Sequence, residues 1–196
     1  WKRARERAEE TDGGAALLLL ALRGDERDRA LVTAALQDRK RRLAALWALG
    51  FLGTPEVVDA SLEFLDDRAA GPLAGEVFTA VTGVDLDDAN MSLASEEDEE
   101  ALEHLPENDL PRPDPMAVLQ WWIKRRADFH DGVRHVDGSP RSPAGLVLVL
   151  KEGRMRRRAA ALLDLTFEIT GKPRARLQCR APTDRQRSEL AAFSQE

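Results

Sequence analysis

An all-α, helical-repeat (α-solenoid) domain interrupted by an acidic, irregular insertion is the fold class this sequence predicts, on three observations. First, a helix-length phrase recurs. Arg41-Arg42-Leu43-Ala44-Ala45-Leu46-Trp47-Ala48-Leu49 is echoed by Arg157-Arg158-Ala159-Ala160-Ala161-Leu162-Leu163-Asp164-Leu165, and a glycine closes each segment at Gly53 and Gly171. Second, a shift of 30 residues aligns Leu43-Ala44 with Leu73-Ala74 and Gly53 with Gly83, a period in the range of paired-helix repeats. Third, charge is segregated along the chain. Residues 1–83 carry a net −2, residues 84–115 a net −11 and residues 116–196 a net +7.

The elements follow in order. Lys2 to Glu10 reads as the interior of a helix that starts without an initiator methionine, so a fragment of a longer protein is expected. Asp12-Gly13-Gly14 precedes a helix over Ala15–Arg23, Gly24-Asp25 introduces Ala30–Gln37, and Asp38 is placed to cap a helix over Arg39–Leu49. Gly53 ends that helix. Thr54-Pro55 starts the next one, with a capping hydroxyl and then a proline where no donor is needed, and Val58, Leu62 and Leu65 form its stripe. A partner helix follows over Pro72–Thr82.

From Asp85 to Pro115 the pattern changes. Glu96-Glu97-Asp98-Glu99-Glu100 is a like-charge block, and Pro106, Pro111, Pro113 and Pro115 exclude regular helix. This reads as a solvated acidic loop, with a docking strip for a basic partner as the sharper alternative. Asp85-Leu86-Asp87-Asp88-Ala89-Asn90 supplies oxygens but lacks the central glycine of a calcium loop.

Asp114-Pro115 starts a helix with Met116, Leu119, Trp122 and Ile123 as its expected apolar stripe. Trp121 and Trp122 point about 100° apart, so Trp122 is assigned to the core and Trp121 to the boundary or a partner contact. Val133–Val136 reads as a short extended piece, and His130 and His135 as surface histidines lacking a third zinc ligand. Ser142-Pro143 caps a helix to Lys151, Gly153 separates it from a basic helix over Arg154–Ile169, Leu177–Arg180 reads as extended, and Thr183–Phe193 forms a last amphipathic helix. The expected organisation is residues 1–83 as N-terminal helix pairs, 84–115 as the insertion, and 116–196 as the C-terminal helical part of the same domain.

The catalytic inventory is thin. There is no phosphate-binding glycine loop, nucleophile elbow or His-Glu-x-x-His pattern, and Cys179 is the only cysteine. No enzyme activity and no cofactor or metal is therefore expected. A single cysteine cannot form an intramolecular disulfide, which points to a reducing cytoplasm, and Leu17 to Leu22 falls short of a membrane span. An acidic balance, with a pI near 5.3, disfavours nucleic acid as a ligand.

Two candidate binding features remain. Arg39-Lys40-Arg41-Arg42 and Arg154, Arg156, Arg157 and Arg158 open the two echoed phrases, where they oppose the helix dipole. Either the acidic insertion neutralises them or an anionic partner does. Trp47 and Phe51 occupy places that would be polar on an open groove, as do Val77 and Val81 and then Leu163 and Phe167. Either both sides of these helices are covered, or they line an apolar groove rimmed by Arg41, Arg42, Arg157 and Arg158.

The phrase from Arg41 to Gly53, continued by Thr54-Pro55-Glu56-Val57-Val58, resembles HEAT-like repeats of bacterial proteins, over residues 15–83 and again at 154–171. Leu49-Gly50-Phe51-Leu52-Gly53-Thr54-Pro55, Val81-Thr82-Gly83-Val84-Asp85-Leu86, Leu110-Pro111-Arg112-Pro113-Asp114-Pro115 and Trp121-Trp122 stand in an order similar to that of an uncharacterised bacterial HEAT-like family whose members often accompany type VI secretion components. The resemblance implies a noncatalytic protein-binding scaffold or adaptor serving bacterial toxin secretion, with a secretion component or effector as partner. An immunity or inhibitor protein for one toxin is the alternative, and a helical-repeat enzyme acting on DNA the second. Arg41, Arg42, Trp47, Phe51, Trp121, Arg157, Arg158, Leu163 and Phe167 are the expected partner-binding residues.

Overall fold

A computed structural model describes residues 1–94 and 110–168, and the chain divides into two compact units, Trp1–Pro140 and Arg141–Glu196. Among the described residues the architecture is helical, with one pairing of two-residue strands. No described helix is long and apolar enough to cross a membrane.

The first unit contains α1 (Lys2–Ala8), α2 (Gly14–Arg23), α3 (Glu26–Ala34), α4 (Arg42–Leu52), α5 (Pro55–Ser61), α6 (Gly71–Thr82) and α7 (Pro115–Arg125). Successive helices pair as α1 with α2, α3 with α4, and α5 with α6, while α4 packs between α2 and α6. Small residues set that row. A Cβ on Gly14 would touch the Ala44 methyl at 3.3 Å, and one on Gly50 would meet the Ala80 methyl at 3.5 Å, so neighbouring helices approach closely. Leu17, Leu20, Leu46, Leu49, Val77 and Phe78 fill the space between them, each fully buried.

Local chemistry explains where the helices begin. The Asp25 carboxylate accepts the Asp28 amide, and the Asp28 carboxylate accepts the Asp25 amide, a capping box that starts α3 at Glu26 rather than at Ala30. A 3-10 turn over Ala35–Gln37 follows. Asp38 does not cap a helix at Arg39. Its carboxylate turns onto the Lys40 amide and the Arg41 Nε, which delays α4 to Arg42. Thr54 precedes α5 by backbone alone, without a side-chain cap, whereas Asp114 accepts the Met116 and Ala117 amides at the start of α7. Gly53 and Gly83 close α4 and α6 with φ of 73° and 74°, as the 30-residue echo requires.

Every residue of α6 from Leu73 to Thr82 is buried. One flank is covered by the neck of the insertion, where the Leu93 amide donates to the Arg112 carbonyl and the Asp114 amide to the Met91 carbonyl. A Cβ on Gly75 would lie 2.9 Å from the Leu86 side chain and 3.4 Å from Pro113. Another flank is covered by α7, whose buried face is Val118 and Trp122; Met116 and Ile123, expected in that stripe, are 61% and 69% exposed. Trp122, the member of the expected stripe that is buried, reaches the Asp59 carboxylate of α5, with Nε1 donating over 2.6 Å. The expected extended piece is reduced to β1 (His135–Val136), paired antiparallel with β2 (Ser139–Pro140).

The described part of the second unit is a helix pair, α8 (Pro143–Glu152) and α9 (Met155–Glu168). The Ser142 hydroxyl accepts the Gly145 amide and caps α8. Leu146, Val149 and Leu150 of α8 and Ala160, Ala161 and Leu165 of α9 are buried. Arg141 crosses to α9 and donates to both oxygens of the buried Asp164, at 2.6 and 2.8 Å. The block Glu96–Glu100, Pro106, Gly171, Leu177–Arg180 with Cys179, and the expected helix Thr183–Phe193 lie outside the described residues.

Candidate partner-binding surface

The row α2, α4 and α6 positions the aromatic candidates. Trp47 and Phe51, four residues apart on α4, stack edge to face with ring centroids 5.1 Å apart and an angle of 78°. Both are half-buried. Their 30-residue counterparts Val77 and Val81 are fully buried, because α6 is enclosed where α4 is not. In the second unit Leu163 is 37% exposed and Phe167 half-buried. The three apolar pairs thus have three different surroundings: on α6 both sides are covered, the first of the two readings, and Val77 and Val81 line no groove.

Trp121 is half-buried and contacts the Phe78 ring edge to face at 5.2 Å, which makes it a lid on α6. Trp122 belongs to the core, as expected.

The arginines expected at the rim are largely engaged. Arg41 donates to the Asp38 carboxylate at 2.8 Å and to the Ala8 carbonyl. Arg42 donates to the Leu36 carbonyl and lies 4.8 Å over the Phe64 ring. The cations that oppose the α4 dipole are therefore compensated by the turn before the helix. Arg41, then the Lys40 amide, holds the Asp38 carboxyl below its ordinary range. Arg158 donates to the Gly153 and Lys151 carbonyls, and Arg157 is buried. Arg39 and Lys40 are exposed. Arg41 and Arg42 belong to one compact unit and Arg157 and Arg158 to the other.

A polar cluster that the sequence does not announce lies beside Trp122. Asp59 accepts the Trp122 indole N–H and the Arg126 Nε; Arg126 also donates to Asp131 at 2.5 Å and to the Phe129 carbonyl. Asp131, against the opposing effect of burial and with Asp59 assisting, raises the Arg126 guanidinium above its ordinary value. Glu56 accepts the Gly132 amide at 2.7 Å. His135, expected at the surface, is 5% exposed, with its ring against Phe129 at 5.0 Å. Burial first, and His130 next among the opposing influences, lower its pKa against the Val133 carbonyl and Glu56. The partners that join this cluster to α5 are 63 to 76 residues apart in sequence, and the one local signal was Arg134-His135 set between two valines.

No protein-family model, curated protein or solved structure matches the chain.

Proposed function

We propose that the chain is a HEAT-like helical-repeat scaffold or adaptor, noncatalytic and cytoplasmic, that binds another protein through the α4 face, in the setting of bacterial toxin secretion. The layering supports the repeat reading: three helix pairs in succession, with the second helix of each in one row and left-handed glycines at the equivalent ends of α4 and α6. The observation that carries the binding reading is the Trp47–Phe51 stack, an aromatic pair left half-exposed on the middle helix of that row. Aromatic anchors flanked by charged side chains are the residues on which protein interfaces concentrate their affinity.

The test compares the wild-type chain with Trp47→Ala, both immobilised and exposed to soluble extract of the source cell. Captured proteins are compared by quantitative mass spectrometry, and folding is monitored by circular dichroism. The reading expects a folded variant that loses at least about tenfold of one captured protein, since each 1.4 kcal/mol of a hot spot is a factor of about ten. A secretion component as that protein supports the adaptor role, and a toxin supports the immunity alternative. Equal capture by both chains refutes the α4 face. Tight, salt-sensitive binding of duplex DNA by the wild-type chain would favour an enzyme acting on DNA instead.

A further inference from the structure

The loop after α7 returns across the whole row of second helices. Arg134 donates to three helix-end carbonyls: Leu22 of α2 at 3.0 Å, and Phe51 and Leu52 of α4 at 2.8 and 3.0 Å. The next residues continue the contact by backbone, as the His135 amide donates to the Gly53 carbonyl at 2.7 Å and the Asp137 and Gly138 amides to Ala80 and Val81 of α6 at 3.0 Å. Six carbonyls that helix geometry leaves without an amide of their own, or only weakly held, are met by one short segment. The fit depends on absent side chains. A Cβ on Gly53 would lie 2.5 Å from the His135 carbonyl oxygen, one on Gly83 2.7 Å from that of Asp137, and one on Gly138 2.5 Å from that of Thr82.

We propose that residues 133–138 are a strap that opens as a local unit: closed, it clips the ends of α2, α4 and α6 together, and it is latched by the neutral, buried His135 ring and released when that ring is protonated. Closed, the ring sits against Phe129 with Nδ1 2.9 Å from the Val133 carbonyl. The charged groups that act on it are Glu56 of α5 and His130 of the preceding loop; Asp59, Arg126 and Asp131 form the cluster beside Trp122. Asp59, Arg126 and Asp131 are engaged with one another, Glu56 favours the charged ring and His130 disfavours it. The only charged residue of α4 is Arg42, at its far end, and that of α6 is Glu76, more than a turn before its last residues. The strap itself adds a cation, Arg134, and an anion, Asp137, on either side of the ring in sequence. Burial therefore decides, and the charged ring is at ease only in the open strap. Opening uncovers a row of carbonyls at one edge of the helices without unpacking the leucines between them.

Amide hydrogen exchange followed by NMR on the full chain, with urea added in steps, tests this. The His135, Asp137 and Gly138 amides are expected to exchange through an opening that is easier than global unfolding and nearly insensitive to urea, unlike Val77 and Phe78 of α6. Lowering the pH from about 7.5 to about 5.5 is expected to cut their protection factors about tenfold, because the open strap binds a proton from about pH 6.5 downward. His135→Phe should abolish that pH dependence. Should this variant fail to fold, Arg134→Gln provides the second arm: it is expected to lower strap protection at neutral pH while the strap keeps its pH dependence and α6 remains better protected than the strap. Strap amides that exchange with the energy and urea dependence of Val77 overturn the local opening. Strap protection unaffected by pH, or unchanged in Arg134→Gln, overturns the latch or the clip.

Discussion

Gly53, Gly83 and Gly132 share one left-handed conformation, with φ of 73°, 74° and 72°, but only the first two are pressed by another part of the backbone. Alanine at each position therefore separates the conformational cost from the steric one. At Gly132 a Cβ meets nothing within 4 Å. Only the left-handed penalty applies there, and Gly132→Ala should cost about 1–2 kcal/mol. At Gly53 the same penalty is joined by a Cβ 2.5 Å from the His135 carbonyl oxygen, a contact that must be relieved by moving backbone. Moving it breaks the His135–Gly53 hydrogen bond and loosens the three Arg134 bonds, each worth about 1 kcal/mol net. Gly53→Ala should thus cost about 3–5 kcal/mol, and Gly83→Ala, which disturbs two strap hydrogen bonds, about 3 kcal/mol. Urea denaturation followed by far-ultraviolet circular dichroism, with the slope compared across variants, reads these values. If the three substitutions cost the same within about 0.5 kcal/mol, the strap does not press on the helix ends and the packing argument fails.

Other consequences are open to measurement. Trp122→Phe keeps most of the buried ring but leaves Asp59 without its indole donor, and should cost about 1–3 kcal/mol; Asp59→Ala in the Trp122→Phe background should then cost less than it does alone, and additivity in this double-mutant cycle would contradict the pairing. Met116→Ser and Ile123→Ser, on the exposed side of α7, should each change stability by less than about 0.5 kcal/mol, whereas a loss above about 2 kcal/mol at either would restore the stripe expected from spacing. The Asp28 carboxyl lies below its ordinary value near 3.8, chiefly because Arg5 donates to it at 2.5 Å, so its contribution is complete above about pH 4 and is lost as pH falls through its lowered value. Asp28→Asn should flatten the acid side of the stability profile, and an unaltered profile would exclude this pair as its source. The His135 pKa is lowered instead, so the unfolded chain takes up the proton first, and stability should decline below about pH 6.5 at up to about 1.4 kcal/mol per unit; His135→Phe should remove that decline.

The helices were legible wherever a local rule fixes them. Gly53 and Gly83 end α4 and α6 because only glycine takes φ near 73° without cost, and the Asp114 and Ser142 caps follow from one side chain and the next three residues. Starts were misplaced where two local options compete. Asp25 and Asp28 cap each other, and Asp38 prefers the Lys40 amide and Arg41, so α3 begins earlier and α4 later than the caps read singly would suggest. The face of α7 was misread for a different reason. Its spacing admits the expected stripe Met116, Leu119, Trp122 and Ile123 as well as one through Val118 and Trp122; Trp122 is common to both, and what it meets, Asp59, lies 63 residues away. Periodicity carries no information about such a partner.

The candidate site shows the same division more sharply. One phrase, repeated with a shift of 30, places Trp47 and Phe51 on α4 and Val77 and Val81 on α6 at equivalent positions. Their fates differ because of what covers the second helix: α7 through Trp121, the insertion neck at Gly75, and the strap at Ala80 and Val81. Covering elements that arrive from outside the repeat erase its symmetry, so the repeat alone could not say which copy remains accessible. The arginine clusters follow the same logic in reverse. Arg41 and Arg42 look like free cations in the sequence, yet each finds carbonyls or a carboxylate within the preceding turns or on α1, while Arg134, a single cation amid valines, holds the ends of two second helices. A guanidinium with five donors is drawn to whatever carbonyls the chain leaves open, and helix ends supply them. The accessible aromatic pair on α4 and the arginine that secures the end of the same helix are therefore mechanically joined, since Arg134 binds the carbonyl of Phe51 itself. On the reading proposed above, a partner that shifted the backbone at Phe51 would strain that hydrogen bond, and binding at the α4 face would then be coupled to closure of the strap. Under that proposal the coupling is reciprocal: Arg134→Gln should change how much protein the α4 face captures, without Arg134 touching the captured protein, and capture equal to wild type would refute it.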